Sequence, residues 1–421
     1  MISVAEASRA DFDLISIDPF WNTGDEKESK MHLIHAYPAK FPAFITSKAL
    51  AFVRERKIKP ERIADIFCGC GTVAFEARRC GIDFWGCDIN PVATMIARVK
   101  SRKYQPWRLQ RYYGAILDAF GQSRTELASY EFANERLKYW YDQEHYAELL
   151  KLKRLIAELT PSGSDYRAFF MCAFSNILKA TSRWLTKSIK PQVDPRKKSA
   201  GVLAAFKVQC SFMMAANRES DARGDSRTEI VTDNFLSRAI EHPTVDVIIT
   251  SPPYVTSYEY ADLHQLSSLW LGFTDDYRDL REGSIGSLHH VYNFERELKR
   301  LNTTGSNIVF RLMDQHYSKA RSIAKYFLDM QRVAQICHSM LSKGGMAFFV
   351  IGDTEYKGTM VENTRHLAES MQNSGFSEVL ATKRRVTKKI LTPYRDSRGR
   401  FTNDAEGRRV YGEEYILVGK K

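Results

Sequence analysis

Ile63-Ala64-Asp65-Ile66-Phe67-Cys68-Gly69-Cys70-Gly71-Thr72 is the stretch on which the fold turns. It begins as a short apolar strand, glycines end that strand, and Val73 to Arg79 has helical character. Glycine at a strand-to-helix junction lets a ligand approach the backbone closely, and the first turn of the helix offers unpaired N–H donors. No lysine follows the second glycine, and Ala74 stands where a dinucleotide loop would want a third glycine. The loop therefore suits a nucleoside ligand without a pyrophosphate. A second strand, Asp83 to Cys87, stops at Asp88, where a carboxylate can accept two hydrogen bonds from a ribose diol, and Pro91 to Val99 begins another helix.

This strand, helix, strand, helix alternation predicts a parallel sheet with covering helices. It then stops: between about 101 and 225 apolar residues recur only at helical spacing, as in Tyr146, Leu149, Leu150, Ile156 and Leu159, which predicts an all-helical insertion. The sheet resumes with Glu229 to Thr232, ending at Asp233, and with Val245 to Thr250. A helix carrying Leu266, Leu269 and Trp270 follows, then an unassigned polar stretch from about 275 to 305 and a long helix ending near Leu341. The strand Met346 to Ile351, a helix to Gly375 and a closing strand, Tyr415 to Val418, complete the pattern. Upstream, Ala36 to Pro42 reads as an extended segment leading into the helix Ile45 to Val53, and residues 1 to about 30 have no assignment. The expected regions are 1–100, the N-terminal segment with the ligand-binding half; 101–225, the insertion; and 226–421, the second half with a basic C-terminal part.

Thr250-Ser251-Pro252-Pro253-Tyr254 leaves the buried run Val245-Asp246-Val247-Ile248-Ile249. A hydroxyl, two prolines and an aromatic ring at a strand tip form a rigid polar elbow suited to gripping an exocyclic amino group on a flat base, although an ordinary Ser-Pro turn leaves a strand in the same way. Asp233 either faces the amino group of an adenine or caps a following helix.

The formal net charge of +12 favours a polyanionic partner, but charge alone does not separate DNA, RNA and an anionic membrane surface. No basic stretch precedes an apolar segment in the first residues, and no run of about 18 apolar residues occurs, so a cytoplasmic protein without a membrane span is expected. Seven cysteines, among them Cys80, Cys172, Cys210 and Cys337 in apolar surroundings, read as reduced core thiols, and no spacing predicts a metal site. Cations cluster twice. Lys179, Arg183, Lys187, Lys190, Arg196, Lys197 and Lys198 face one acid, Asp194, with Trp184 among them; Lys383, Arg384, Arg385, Lys388, Lys389, Arg395, Arg398 and Arg400 face Asp396. Each cluster is either a solvated face or a set of phosphate contacts.

The glycine loop, the Asp88 strand end and Thr-Ser-Pro-Pro-Tyr, in that order, resemble the S-adenosylmethionine-dependent amino-methyltransferases of DNA. The serine before Pro-Pro-Tyr is most similar to the members that methylate cytosine at N4. The resemblance covers roughly 31 to 100, 229 to 273 and 340 to 421. It implies an α/β fold, a Rossmann-like class I methyltransferase sheet, with the large helical insertion between the cofactor-binding and catalytic motifs acting as target-recognition domain.

The resemblance also implies that Tyr37, Pro38 and Lys40 help hold the methionine part of S-adenosylmethionine, with Asp65, Phe67, Gly69, Gly71 and Thr72 in the loop and Asp88, Ile89, Asp233 and Asn234 at the strand ends completing its site. Ser251 and the Pro252 carbonyl would accept hydrogen bonds from the amino group, Pro253 would stiffen the elbow, and Tyr254 would stack on the base. The implied substrate is double-stranded DNA, and the implied partner a separate cognate restriction endonuclease. Adenine N6 of DNA, a guanine amino group of RNA, and a DNA-binding module without catalysis are the competing readings. The sequence is silent on oligomeric state.

Overall fold

The computed structural model describes residues 5–6, 11–24, 27–38, 40–220, 226–255, 259–287, 293–386, 394–395, 401–402, 408–409 and 412–421. Eight strands form its main sheet: β1 (Ala5–Glu6), β2 (Arg62–Asp65), β3 (Asp83–Asp88), β4 (Thr228–Thr232), β5 (Val245–Thr250), β6 (Leu341–Ile351), β7 (Glu378–Arg385) and β8 (Glu413–Lys420). Their spatial order is β1-β7-β8-β6-β5-β2-β3-β4. The run from β4 to β6 is parallel throughout. β8 is antiparallel to both β6 and β7, and β1 to β7.

Alternation along the central strands sorts the core into two faces. Val247 and Ile249 of β5, with Met346, Phe348 and Val350 of β6, pack under helices α1 (Ala43–Glu55) and α2 (Thr72–Arg79). Ile248, Ala347, Phe349 and Ile351 face the opposite way. They meet α12 (Thr303–Met340) and α13 (Asn363–Asn373). Burying each such side chain stabilises the fold by roughly 1.5–3 kcal/mol.

α3 (Pro91–Lys100) leads into the insertion, which is built from α4 (Pro106–Gln122), α5 (Glu135–Trp140), α6 (Gln143–Leu159), α7 (Asp165–Ile177) and α8 (Val202–Glu219). These helices do not stand apart: their apolar core is continuous with Phe75 of α2, Val92 and Ile96 of α3, and Leu266 and Trp270 of α10 (Gln265–Leu271), which follows the elbow after the short α9 (Tyr260–Leu263). In the polar stretch before α12 the structure adds a short helix, α11 (Phe294–Leu298). All cysteines are buried except Cys80, which is exposed rather than in the core.

The sequence reading missed β7, along with the two-residue β1 and the short strands Thr354–Tyr356 and Thr359–Val361. Val379 to Thr382 are buried on β7, but the segment ends in Lys383-Arg384-Arg385, which draws attention to charge instead of to alternation. Among the described residues, no helix is long and apolar enough to cross a membrane and no side-chain cluster could hold a metal ion.

Candidate active site

Chain direction around the sheet reverses between β2 and β5. From β2 the sequence proceeds outward through β3 to β4, and then returns to the other side of β2 as β5. At such a switch point the loops at the carboxyl ends diverge and leave a crevice. Because Ile63 pairs with Val247 and Ala64 with Ile248, the glycine loop and the Pro-Pro elbow leave the sheet side by side. Thr250 Oγ1 donates to Asp65 Oδ1 at 2.7 Å, joining the two strand tips directly. The resulting cleft, about 2130 Å³, is lined by both loops.

On the loop side, the Asp88 carboxylate accepts from Gly69 N–H (2.8 Å) and Asn90 N–H (2.9 Å), which fixes it at the cleft. Burial pushes Asp88 up to about 6, against the pull of those two N–H donors. Burial likewise pushes Asp65 up to about 7, opposed by the Thr250 hydroxyl and Phe67 N–H and reinforced by nearby Asp88. Two carboxylates of raised basicity thus share one end of the cleft. Thr72 Oγ1, at the first turn of α2, is buried with no hydrogen-bond partner among the described residues. An orphan hydroxyl, a fixed carboxylate and a glycine loop together fit a polar, positively charged nucleoside ligand.

Tyr37 closes this end. A Cβ on Gly69 would sit 3.5 Å from its Cε1, so the phenol ring lies over the loop. It stacks in turn on His264 (5.1 Å between centroids, 27°) and Tyr260 (6.1 Å, 17°). Burial, with His35 nearby, pushes His264 down to about 3 and keeps it neutral. Sequence reading missed both partners, although Tyr260 and His264 fall just after the elbow in a polar, aromatic run.

Pro38, Phe67, Ile89, Asp233 and Asn234 also line the cleft, and so does Lys40, whose ammonium is already paired with Glu28 at 2.8 Å. Asp233 does not cap a helix: none follows it, and its carboxylate accepts the N–H of Asn234 instead. Gly71 is the exception. It is absent from the cleft wall, has φ +75°, and a Cβ there would lie 2.6 Å from Ala97 Cα. Its smallness serves the packing of α2 against α3, not ligand contact.

At the elbow, Ser251, Pro252, Pro253 and Tyr254 all line the cleft. Ser251 Oγ donates to the Val350 carbonyl at 2.9 Å, which places its only proton and leaves its lone pairs to accept. The Tyr254 ring lies against Gly352, where a Cβ would come within 3.3 Å, and its hydroxyl points to Glu414 at 3.4 Å. Burial and the adjacent Glu414 carboxylate push the phenol well above its ordinary range.

The two basic clusters are corrected in part. Arg384 is 3 % exposed and lies in β7 opposite Glu414 of β8, to which it donates twice (3.0 and 2.5 Å). It braces the Tyr254 side of the cleft and is not a free phosphate ligand. Lys383 is buried too, Arg385 is exposed, and Lys388, Lys389, Arg398 and Arg400 lie outside the described residues, as do the side chain of Arg395 and all of Asp396. In the other cluster Lys179 donates to the Ser188 carbonyl, Lys197 to the carbonyls of Lys179 and Trp184, and Arg183 to those of Lys138 and Tyr141. Those three cations hold a loop together around Trp184, which stacks on Trp140 (4.9 Å, 21°). Lys187, Lys190, Arg196 and Lys198 are exposed, and Lys190 reaches the cleft.

A mainly parallel sheet with a reversed strand beside β6, and a cleft across the tips of β2 and β5, define a class I methyltransferase fold. A family model described as DNA methylase, of the N6 and N4 methyltransferases, matches residues 245–419. The Type II methyltransferase M.MvaI of Kocuria varians is 22% identical over 406 residues, 88% of this chain and 87% of that protein. M.AvaI of a Nostoc species is 22% identical over 376 residues, covering 78% and 75%, and M.MjaII of Methanocaldococcus jannaschii 28% identical over 151 residues, covering 35% and 28%. Through these matches the chain is similar to the S-adenosylmethionine-dependent amino-methyltransferases of DNA.

Proposed function

We propose that this protein methylates the N4 amino group of a cytosine turned out of double-stranded DNA, as the cytoplasmic modification enzyme of a restriction-modification pair whose endonuclease is a separate protein. The observation that carries the reading is the Ser251 hydroxyl, whose proton is committed to the Val350 carbonyl. An amino nitrogen conjugated with a base ring is a poor nucleophile. Acceptors aimed at its hydrogens, Ser251 Oγ and the Pro252 carbonyl, favour a pyramidal nitrogen whose lone pair turns toward the methyl donor.

S-adenosylmethionine supplies a methyl group already activated by its sulfonium, so the protein's task is placement, which contributes roughly 7–11 kcal/mol. Asp88 would hold the ribose, Gly69 and Phe67 would face the nucleoside, and Thr72 would gain the partner its hydroxyl lacks. Tyr37, Pro38 and Lys40 would enclose the methionine end, with Asp65 close by, while Ile89, Asp233 and Asn234 would border the adenine. Tyr254, steadied by Glu414 and Arg384, would stack on the base. Turning the base out of the helix costs a few kcal/mol, which this stacking and the acceptor pair must offset.

Incubating the protein with plasmid and S-adenosylmethionine, digesting the product to nucleosides and weighing them tests the reading. N4-methylcytosine is expected; N6-methyladenine alone would transfer the same geometry to adenine, and methyl groups in RNA but not DNA would refute it.

A further inference from the structure

One charged group in the cleft is firmly anchored yet, among the described residues, pairs with no carboxylate. Arg136, on α5 of the insertion, donates Nε–H to Gln265 Oε1 at 2.6 Å. The same oxygen accepts from Trp140 Nε1 at 2.9 Å, and Gln265, fully buried at the start of α10, donates its amide to the Asp262 carbonyl at 2.7 Å. The guanidinium carbon lies 4.9, 5.4 and 5.5 Å from the ring centroids of Tyr139, Trp140 and Tyr277. Among the described residues, neither of its terminal nitrogens has a hydrogen-bond or ion-pair partner, and the side chain lines the same cleft as Ser251.

We propose that Arg136 reads a guanine of the DNA recognition sequence, donating its two terminal N–H groups to O6 and N7 in the major groove. The proposal rests on the reading of double-stranded DNA as substrate. With Nε engaged by Gln265, the guanidinium presents its two Nη groups end-on, the fork that matches the guanine edge. A phosphate contact needs no such fixation, since a mobile lysine serves it, and Lys187, Lys190, Arg196 and Lys198 are exposed for that purpose. Rings on several sides and a buried amide leave Arg136 few alternative rotamers, so little freedom remains to be lost on binding. Its anchor, Gln265, opens α10, the second helix after the elbow, so one side chain links the insertion to the segment that follows the catalytic strand.

Once the methylated sequence has been mapped, duplexes carrying 7-deazaguanine at each guanine in turn test the proposal, with wild type, Arg136→Gln and Arg136→Lys as enzymes. At one guanine, wild-type kcat/KM should fall roughly 10- to 100-fold. Both variants should show a similar loss on unmodified DNA and no further loss at that position, with cofactor affinity and melting temperature unchanged. Arg136→Lys keeps the charge against the rings, so it guards against a failure of Arg136→Gln to fold. A uniform loss across all duplexes, with the log–log salt dependence shallower by about one unit, would make Arg136 a phosphate contact and overturn the proposal. Variants that respond to 7-deazaguanine as wild type does would also overturn it. Failure of wild type to methylate any DNA would instead overturn the substrate reading on which the proposal depends.

Discussion

The strand tips at the cleft and the loop from Lys179 to Lys198 are equally rich in groups that a sequence reader takes for ligands, yet the fold uses them in opposite ways. At the tips, Asp65 and Asp88 are held against the cleft by backbone N–H groups and one hydroxyl, so each keeps lone pairs for something else. In the loop, Lys179, Arg183 and Lys197 give their protons to carbonyls of the loop and its surroundings. The difference lies in secondary structure. A strand satisfies its own backbone through the ladder, whereas an irregular loop has unpaired carbonyls and recruits the nearest cations to them. A basic cluster in a loop therefore overstates the number of cations available to a polyanion.

The strongest way to break the comparison is at the elbow. Ser251→Ala should lower turnover about 10²- to 10³-fold, the effect of deleting one acceptor or donor at a reacting centre, while calorimetric affinity for S-adenosylmethionine stays within about twofold. Equal loss of both would mean that Ser251 only supports the cofactor loop. A second comparison separates the cations within the loop. Replacing Lys187, Lys190, Arg196 and Lys198 by serine should flatten the salt dependence of DNA binding by up to about 0.9 per lost phosphate contact. Replacing Lys179, Arg183 and Lys197 by glutamine should lower the melting temperature and leave that slope alone. If the second set changes the slope as much as the first, the assignment of carbonyl-bound cations to structure fails.

The smallest effect concerns pH. Asp65 and Asp88 have folded-state values of about 7 and about 6, above the ordinary carboxylate value near 3.9, so the folded chain binds their protons more tightly than the unfolded chain. Stability of the cofactor-free protein should therefore fall as pH rises from about 4 to about 7 and then level off. A cationic cofactor favours the ionised carboxylates, so its affinity should rise over the same window. Thermal melts with and without S-adenosylmethionine between pH 5 and 8 would show the gap widening, and Asp65→Asn should shrink the change. No widening would mean that neither carboxylate faces the cofactor's positive charge.

Much of the sheet was legible because β2, β3 and β5 are buried apolar runs ended by glycine, aspartate or proline, signals that depend only on local chemistry. β7 was hidden, since its apolar half is short and its end is three cations, and with it went the true place of Arg384. The pairing of Arg384 with Glu414 becomes visible only when β7 and β8 are aligned as neighbours, where those residues face each other. Gly71 shows a different limit: a glycine needed for ligand approach and one needed for helix packing look identical in a loop, and only Ala97 distinguishes them. Arg136 could not be singled out among 62 lysines and arginines, because what marks it is the company of Gln265 and Tyr277, more than a hundred residues away.

The hydrogen bond between Thr250 and Asp65 spans 185 positions of sequence. The insertion leaves the sheet after β3 and rejoins it at β4, on the far side of β3 from β2, whereas the two tips meet through the direct pairing of β2 with β5, so that pairing rather than chain continuity across 219–226 sets their meeting. Two polypeptides produced by opening the backbone between Glu219 and Ser226 should each be inert, and mixing them should restore methylation. Linear order of the motifs is thus a matter of gene history, whereas their adjacency in the sheet is a matter of chemistry.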